Sequence, residues 1–386
     1  MSDFEEILPL AKVILKNHYL CDFCLGRLFS KKLHVSSEKN LGKKIKNELS
    51  VPKQRCYICK DLYETVSSCI KKMSEISYDY EFLSFVVGTK IKPSIIDRDD
   101  YIKSKFKIRA IDSIKTGISH EISKQFSKKT KKKIDFLDPD VTFTIDFKEQ
   151  IFQIRSKQLF LQGRYSKTKR GIPQKQKSCQ NCSGKGCRNC DFHGIDNYGS
   201  VEGLISKFLF KKFGGTIAKF SWIGGEDKSS LVLAPGRPFF VRLQNPLKRK
   251  INLSKELNFY PVIIHNLKTI PSSPKTPLSF ESVIEVLVNT KKENSLSSLK
   301  NLKNLIGSPI IFYETSGKKS EKKIFDLSFI KKSKHQFTLT IRVEGGFPVK
   351  RFVAGDKVEP GLSKTLQNNC SCERFDFLDI KMITNN

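Results

Sequence analysis

Acidic residues are scarce in this chain: 39 Asp and Glu stand against 70 Lys and Arg in 386 residues, a formal charge of +31. Solubility alone calls for far less, so a polyanionic partner is the natural reading. Each phosphate that a Lys or Arg neutralises releases condensed counterion, and this term supplies most of the sequence-independent affinity for nucleic acid. A Lys-rich background proteome is the bland alternative. Long apolar runs are missing as well. No stretch of about 18 apolar residues occurs, and the acidic start Met1–Leu10 has no basic segment leading into an apolar one. A soluble, cytoplasmic chain with no membrane partner is expected. Also absent are a Walker A loop, a nucleotide-binding G-x-G-x-x-G and the H-x-E with P-C-x-x-C of zinc deaminases. The 6 His residues fall in no metal or triad spacing. What is left is a reaction that needs no organic cofactor, or plain binding, and no obligate protein partner is implied.

The chain is 38% hydrophobic with 29 Phe, enough for substantial cores, and its length suits two or three domains. Its cysteines are unevenly placed. Of 11, eight form four C-x-x-C pairs, which in a reducing compartment means metal before disulfide. Cys21 and Cys24 (CDFC) pair with Cys56 and Cys59 (CYIC) across a segment long enough for a helix. Two tight turns of two thiolates each complete a tetrahedral site for structural zinc. A redox C-x-x-C is the lesser reading, with no βαβ context to support it. Cys179, Cys182, Cys187 and Cys190 form a compact knuckle with Gly184 and Gly186 between the pairs. It can close on a second zinc or, metal-free, bring backbone close to a phosphate. Cys370 and Cys372 are too few and too close for another full site.

Between the clusters, Val141, Phe143, Ile145 and Phe147 alternate on one face of a half-buried strand. The basic run Ser127–Lys133 precedes it, a solvated face or an RNA-backbone contact. Beyond the knuckle, Ser200 caps a helix in which Val201, Leu204, Ile205, Phe208, Leu209 and Phe213 share a face, and Gly214-Gly215 ends it. A strand around Phe220–Ile223, the turn Gly224-Gly225-Glu226-Asp227 and a strand Leu231–Leu233 follow. A turn at Ala234–Pro238 is expected to reverse the chain into a strand Phe239–Leu243. Asp227 is thus displayed in a glycine-rich turn, where a turn-forming Asp and a functional carboxylate look alike. A strand Phe337–Val343 leads through Gly345-Gly346 into an apolar segment carrying Lys350 and Arg351.

These residues resemble, over nearly the whole length, the THUMP-containing tRNA pseudouridine synthases of archaea and eukaryotes that modify the TΨC loop. CDFCLGRLF with CYIC is similar to their zinc-binding start. The segment ending in GRY is similar to their THUMP domain, and CQNCSGKGCRNCDFHG with SVEGLI to the lead-in to their catalytic domain. The resemblance implies an α+β, multidomain fold: a zinc-binding segment at 1–72, a THUMP RNA-binding domain at 73–170, and a catalytic domain at 171–386 on a mixed, mainly antiparallel sheet. It implies tRNA as partner, position 55 as target and often 54 as well.

In that family a G-R-E-D turn carries the catalytic aspartate. Gly224-Gly-Glu-Asp227 stands in its place, followed by the shared Gly236-Arg-Pro-Phe239, so Asp227 is the matching carboxylate. The family's Arg is Gly225 here, and its D-V-R is replaced by Ser229-Ser-Leu231. Phe325 matches the aromatic, commonly Tyr, that stacks under the target base. Lys350 matches the basic residue and is the countercharge expected for Asp227, with Arg351 and Arg237 as alternatives and substrate contacts. Leu366 matches an apolar pocket residue. The lost Arg also admits a rival: a catalytically impaired relative that holds tRNA as a chaperone.

Overall fold

The computed structural model describes residues 3–383 except 251, 253, 275–277, 315 and 316. The chain divides into two compact units, Met1–Lys157 and Gln158–Asn386. The first carries α1 (Asp3–Asn17), α2 (Asp22–Ser30), α3 (Glu38–Glu48), α4 (Val66–Ile76), α5 (Pro93–Lys105) and α6 (Ile114–Thr130), with strands β1 (Ser84–Lys90), β2 (Lys133–Ile134), β3 (Val141–Asp146) and β4 (Ile151–Ser156). The strand order is β2-β1-β3-β4, with β1 parallel to both neighbours and β4 antiparallel to β3. Local chemistry sets the helix ends. Ser37 and Ser113 each accept a backbone N–H three residues on, and α6 stops where Lys131 turns left-handed at φ 60°. In β3, Val141, Phe143 and Ile145 are 0–1% exposed, the alternation expected, while Phe147 lies just past the strand end. One apolar core runs from Ile7 to Ile145, so segments 1–72 and 73–157 share a single interior.

The second unit carries β5 (Leu159–Lys167), α7 (Val201–Phe213), β6 (Ala218–Trp222), β7 (Val232–Leu243), β8 (Glu256–Phe259), β9 (Val262–Ile270), β10 (Phe280–Thr290), α8 (Leu296–Lys300), β11 (Pro309–Tyr313), β12 (Lys319–Lys331), β13 (Gln336–Glu344), α9 (Val349–Ala354), β14 (Val358–Glu359), α10 (Leu362–Thr365) and β15 (Cys370–Met382). These strands form an 11-stranded sheet in the order β14-β11-β12-β13-β10-β15-β7-β5-β9-β8, with β6 paired to β7. The β15–β7 contact is parallel and the other pairings are antiparallel, the mixed, mainly antiparallel sheet expected. Helix α7 starts at its Ser200 cap, whose hydroxyl accepts Gly203 N at 2.9 Å, and ends at Gly214 with φ 70°.

Two sequence expectations change. Gly163-Arg-Tyr165 lies in β5, which pairs with β7 and β9, so this stretch belongs to the large sheet and the unit boundary precedes it. Ala234–Pro238 does not reverse the chain either. Gly236, at φ 85°, brings β7 so close to β5 that a Cβ there would sit 2.6 Å from Tyr165 O; the register shifts and the strand continues. Pro and Gly inside a strand mark a bulge as readily as a turn. No helix among the described residues is long and apolar enough to cross a membrane.

Candidate active site

The turn between β6 and β7 positions Asp227. Gly224 opens it at φ 74°, where a Cβ would lie 2.6 Å from the Phe280 ring and 2.8 Å from the Arg237 guanidinium. A glycine is required there. Gly225 is different: an added Cβ would find its nearest neighbour, Gln174 Oε1, only at 4.0 Å. The backbone at Gly225 therefore has room to begin a side chain.

The Asp227 carboxylate is fully engaged. Oδ2 accepts Lys350 Nζ at 2.6 Å, and Oδ1 accepts Ser229 N at 2.9 Å and Ser229 Oγ at 2.7 Å. The Lys350 ammonium, then the Ser229 N–H, hold the carboxyl from the ordinary 3.8 down to about 2, against the upward push of partial burial. With side chains 32% and 54% exposed, the Asp227–Lys350 pair faces solvent on one side. An ionised carboxylate that is held by donors yet reachable can act on a substrate as nucleophile or base. Lys350 is delivered by α9, which packs on β15 and is stopped by Gly355 at φ 78°.

Beneath the turn lies a buried ionic set of which the sequence reading singled out only Arg237. Glu226 and Lys167 form an ion pair at 3.0 Å with both side chains 0% exposed, and Arg237 Nε stands 3.6 Å from the same carboxylate. Glu226 Oε2 accepts Tyr165 Oη at 2.8 Å. Lys167 Nζ also donates to the carbonyls of Ile172 and Asp227, each at 3.1 Å. The segment after Asp227 is strapped to the sheet centre. Arg170 grips Asp376 with two bonds of 2.6 Å, and Asp376 Oδ1 accepts Leu231 N at 2.8 Å. Cys372 lies within electrostatic reach of both Lys350 and Asp227; burial pushes its thiol up to about 11.

The other expected site residues are placed less simply. Arg237 is 0% exposed, with Nη1 on Ile223 O at 2.7 Å and its guanidinium over Phe377. It braces the turn from below and has no surface to offer a substrate. Arg351 donates to Tyr313 O at 2.7 Å and pairs with Glu314, so it does not share the Asp227 carboxylate with Lys350. Adjacent positions on a helix point about 100° apart, which is why only one of the two reaches the turn. Phe325 sits half-buried at a bulge of β12 beneath the Arg342 guanidinium, and Arg342 pairs with Glu281. Phe280, the first residue of β10, lies against Gly224, and the next residue, Glu281, is the partner of the Arg342 that covers Phe325. Leu366, 8% exposed at the end of α10, is part of the apolar core.

Both four-cysteine groups converge. In Cys21, Cys24, Cys56, Cys59 and in Cys179, Cys182, Cys187, Cys190, the sulfurs of each group lie within 4.8 Å of one another. Separations of 3.6 Å (Cys21–Cys59), 3.7 Å (Cys187–Cys190) and 4.0 Å (Cys179–Cys187) are close to the edge of about 3.8 Å that four sulfurs make around a centre about 2.3 Å away. Backbone N–H groups of Gly186 and Gly194, each 3.2 Å from a sulfur, suit thiolates. Both donor sets fit a tetrahedral metal ion.

Comparison with known proteins agrees with this layout. A family model for the archaeal Pus10 THUMP domain matches residues 70–146, and one for the Pus10 C-terminal region matches 160–381. The tRNA pseudouridine synthase Pus10 of Nitrosopumilus maritimus is 53% identical over 382 residues, covering 99% of this chain and 100% of that protein. Its counterpart in Cenarchaeum symbiosum is 34% identical, covering 95% and 90%, and that of Methanothermobacter marburgensis is 28% identical, covering 94% and 95%. A chain in the crystal structure of a Cbf5-Nop10-Gar1 complex aligns over 45% of this chain and 43% of its own at 12% identity and a TM-score of 0.29.

Proposed function

The chain belongs to the Pus10 family of tRNA pseudouridine synthases, and from that premise we propose that it isomerises uridine in the TΨC loop of tRNA, at position 55 with 54 as a second target, using Asp227. The observation that carries the reading is the Lys350–Asp227–Ser229 arrangement: a half-exposed carboxylate kept ionised, on a turn braced from beneath. The reaction breaks the N1–C1′ bond, turns the uracil over and forms C5–C1′; the C5 proton is lost and N1 gains one, so no redox partner is needed. Asp227 serves as nucleophile at the sugar or as the base that gives a glycal. Lys350 supplies the countercharge when the base covers the carboxylate. Phe325 stacks on the flipped uracil, a contact of about 1–3 kcal/mol. Unstacking costs a few kcal/mol, least in a loop, which suits a folded tRNA arm. The THUMP domain reads the acceptor end by shape and phosphate. Two structural zinc ions hold the cysteine groups.

The chaperone reading draws on the missing Arg at Gly225. Against it, Asp227 has its donors without that Arg, and Gly225 leaves space where the family's side chain begins. Incubation with unmodified tRNA and carbodiimide mapping of pseudouridine decides. Wild type should convert its target uridine and Asp227→Ala should not, with tRNA affinity within about twofold because binding is spread over a basic surface. Conversion by Asp227→Ala at the wild-type rate means the carboxylate is misassigned. A wild type inert on every tRNA means the chaperone reading holds.

A further inference from the structure

We propose that Lys167 is a positioning residue for the isomerisation, fixing where the main chain of Asp227 sits; the inference rests on Asp227 being the reacting carboxylate. Lys167 Nζ donates to the Ile172 carbonyl and the Asp227 carbonyl, each at 3.1 Å, and its ammonium is paired by charge with the Glu226 carboxylate 3.0 Å away. Its side chain is 0% exposed, and its own backbone is held in β5 between Val232 and Val262. Asp227 lies outside the strands, and its carbonyl is held by Lys167 Nζ, Ser230 N at 3.1 Å and Ser230 Oγ at 2.9 Å. The rigid sheet is thus tied, through one lysine, to the residue whose carboxylate must meet the sugar. Misplacement by about 1 Å costs on the order of 100-fold in rate.

Charge counting argues that this lysine does more than fill the interior. The buried set holds two cations, Lys167 and Arg237, for the one carboxylate of Glu226. Removing Lys167 leaves one cation and one anion, a balanced pair. Fold stability alone does not ask for the second cation, whereas the carbonyl of Asp227 does use it.

Single-turnover rates at saturating enzyme test this in the full-length protein, with Asp227→Ala as control. Lys167→Met is expected to slow conversion by about tenfold to 100-fold with tRNA affinity within about twofold. In a Lys350→Met background the same change should cost less than about threefold, because both residues act through the placement of one carboxylate. An unchanged rate in folded Lys167→Met, or an equal loss in both backgrounds, overturns the proposal. Should Lys167→Met not fold, Ser230→Ala removes another donor from the same carbonyl and leaves the charges alone. A several-fold loss that shrinks in the Lys350→Met background supports the proposal, and a wild-type rate overturns it. Activity in Asp227→Ala would sink the underlying assignment instead, so the two failures are distinguishable.

Discussion

Replacing Lys350 with Met separates two roles a countercharge can have. In the free protein Lys350 is not needed to ionise Asp227 at neutral pH, since the ordinary value of 3.8 already lies far below 7. The need arises when a nucleobase covers the carboxylate and displaces its water. Burial of this kind raises a carboxyl pKa by up to about 3–5 units. Without Lys350 the Ser229 donors still act, so the carboxyl starts between about 2 and 3.8 and the same burial carries it to about 7–9 at most. With Lys350 at 2.6 Å the starting value is about 2, so the same burial reaches about 5–7 at most. The ion pair also strengthens as water leaves, which holds the value lower still. Activity requires the ionised form and is lost as the pH falls through the pKa of the complex. Single-turnover rates at saturating enzyme, from about pH 6 to 9, should therefore show the acid limb of Lys350→Met displaced upward by up to about 2 units. At pH 7 a full 2-unit displacement is a loss of about 2-fold, for limbs at 5 and 7, to about 50-fold, for limbs at 7 and 9, and it recovers towards pH 9. The acid limb of kcat/KM, which reports the free protein, should stay below about pH 5 in both. Superimposable profiles, or a loss equal at pH 6 and 9, would refute the reasoning and give Lys350 another task.

The purified chain should carry two equivalents of zinc by metal analysis, with Cys56→Ser and Cys182→Ser each losing one; Cys56→Ser should also make the first unit easier to proteolyse, because such sites contribute folding energy. Wild type without zinc would sink this. Binding to tRNA should weaken steeply with salt, and neutralising Lys131, Lys132 and Lys133 should lower affinity and flatten the salt slope without changing the rate at saturation. A loss of rate at saturation would place that run at the chemistry. Phe325→Ala should lower kcat/KM by about 5- to 150-fold, the stacking energy expressed as a rate; no effect would leave Phe325 as a support for Arg342 alone.

Periodicity made β3, α7 and β13 legible, because each buries one face against one neighbour. The bulge in β7 was not, since Pro and Gly report that backbone geometry changes without saying whether the chain turns. The meeting of Asp227 and Lys350 lies beyond local reasoning: nothing near Gly224–Asp227 names a partner on a helix after β13, and only a family resemblance pointed there. Arg237, named as a countercharge alternative and substrate contact, is buried, as its neighbours Phe239, Phe240 and Val241 on the same strand already suggest. The Lys167–Glu226 pair did leave a signal. Leu159, Leu161, Gly163, Tyr165 and Lys167 alternate along β5 on its buried face, and a lysine on such a face requires a buried carboxylate.

The place of β15 in the sheet also sets when in the life of the chain this site can exist. The strand lies between β10 and β7, receives α9, and supplies Asp376 to Arg170 and to the segment after Asp227, yet among the described strands it is the last in chain order. At about 5–20 residues per second, the stretch from Asp227 to Asp376 takes roughly 7 to 30 s to emerge, during which the turn lacks its strap to Asp376. The N-terminal unit, closed at Lys157, is fully synthesised well before then. On the proposed function, a chain halted before β15 would carry the Asp227 turn without this strap and would not isomerise uridine.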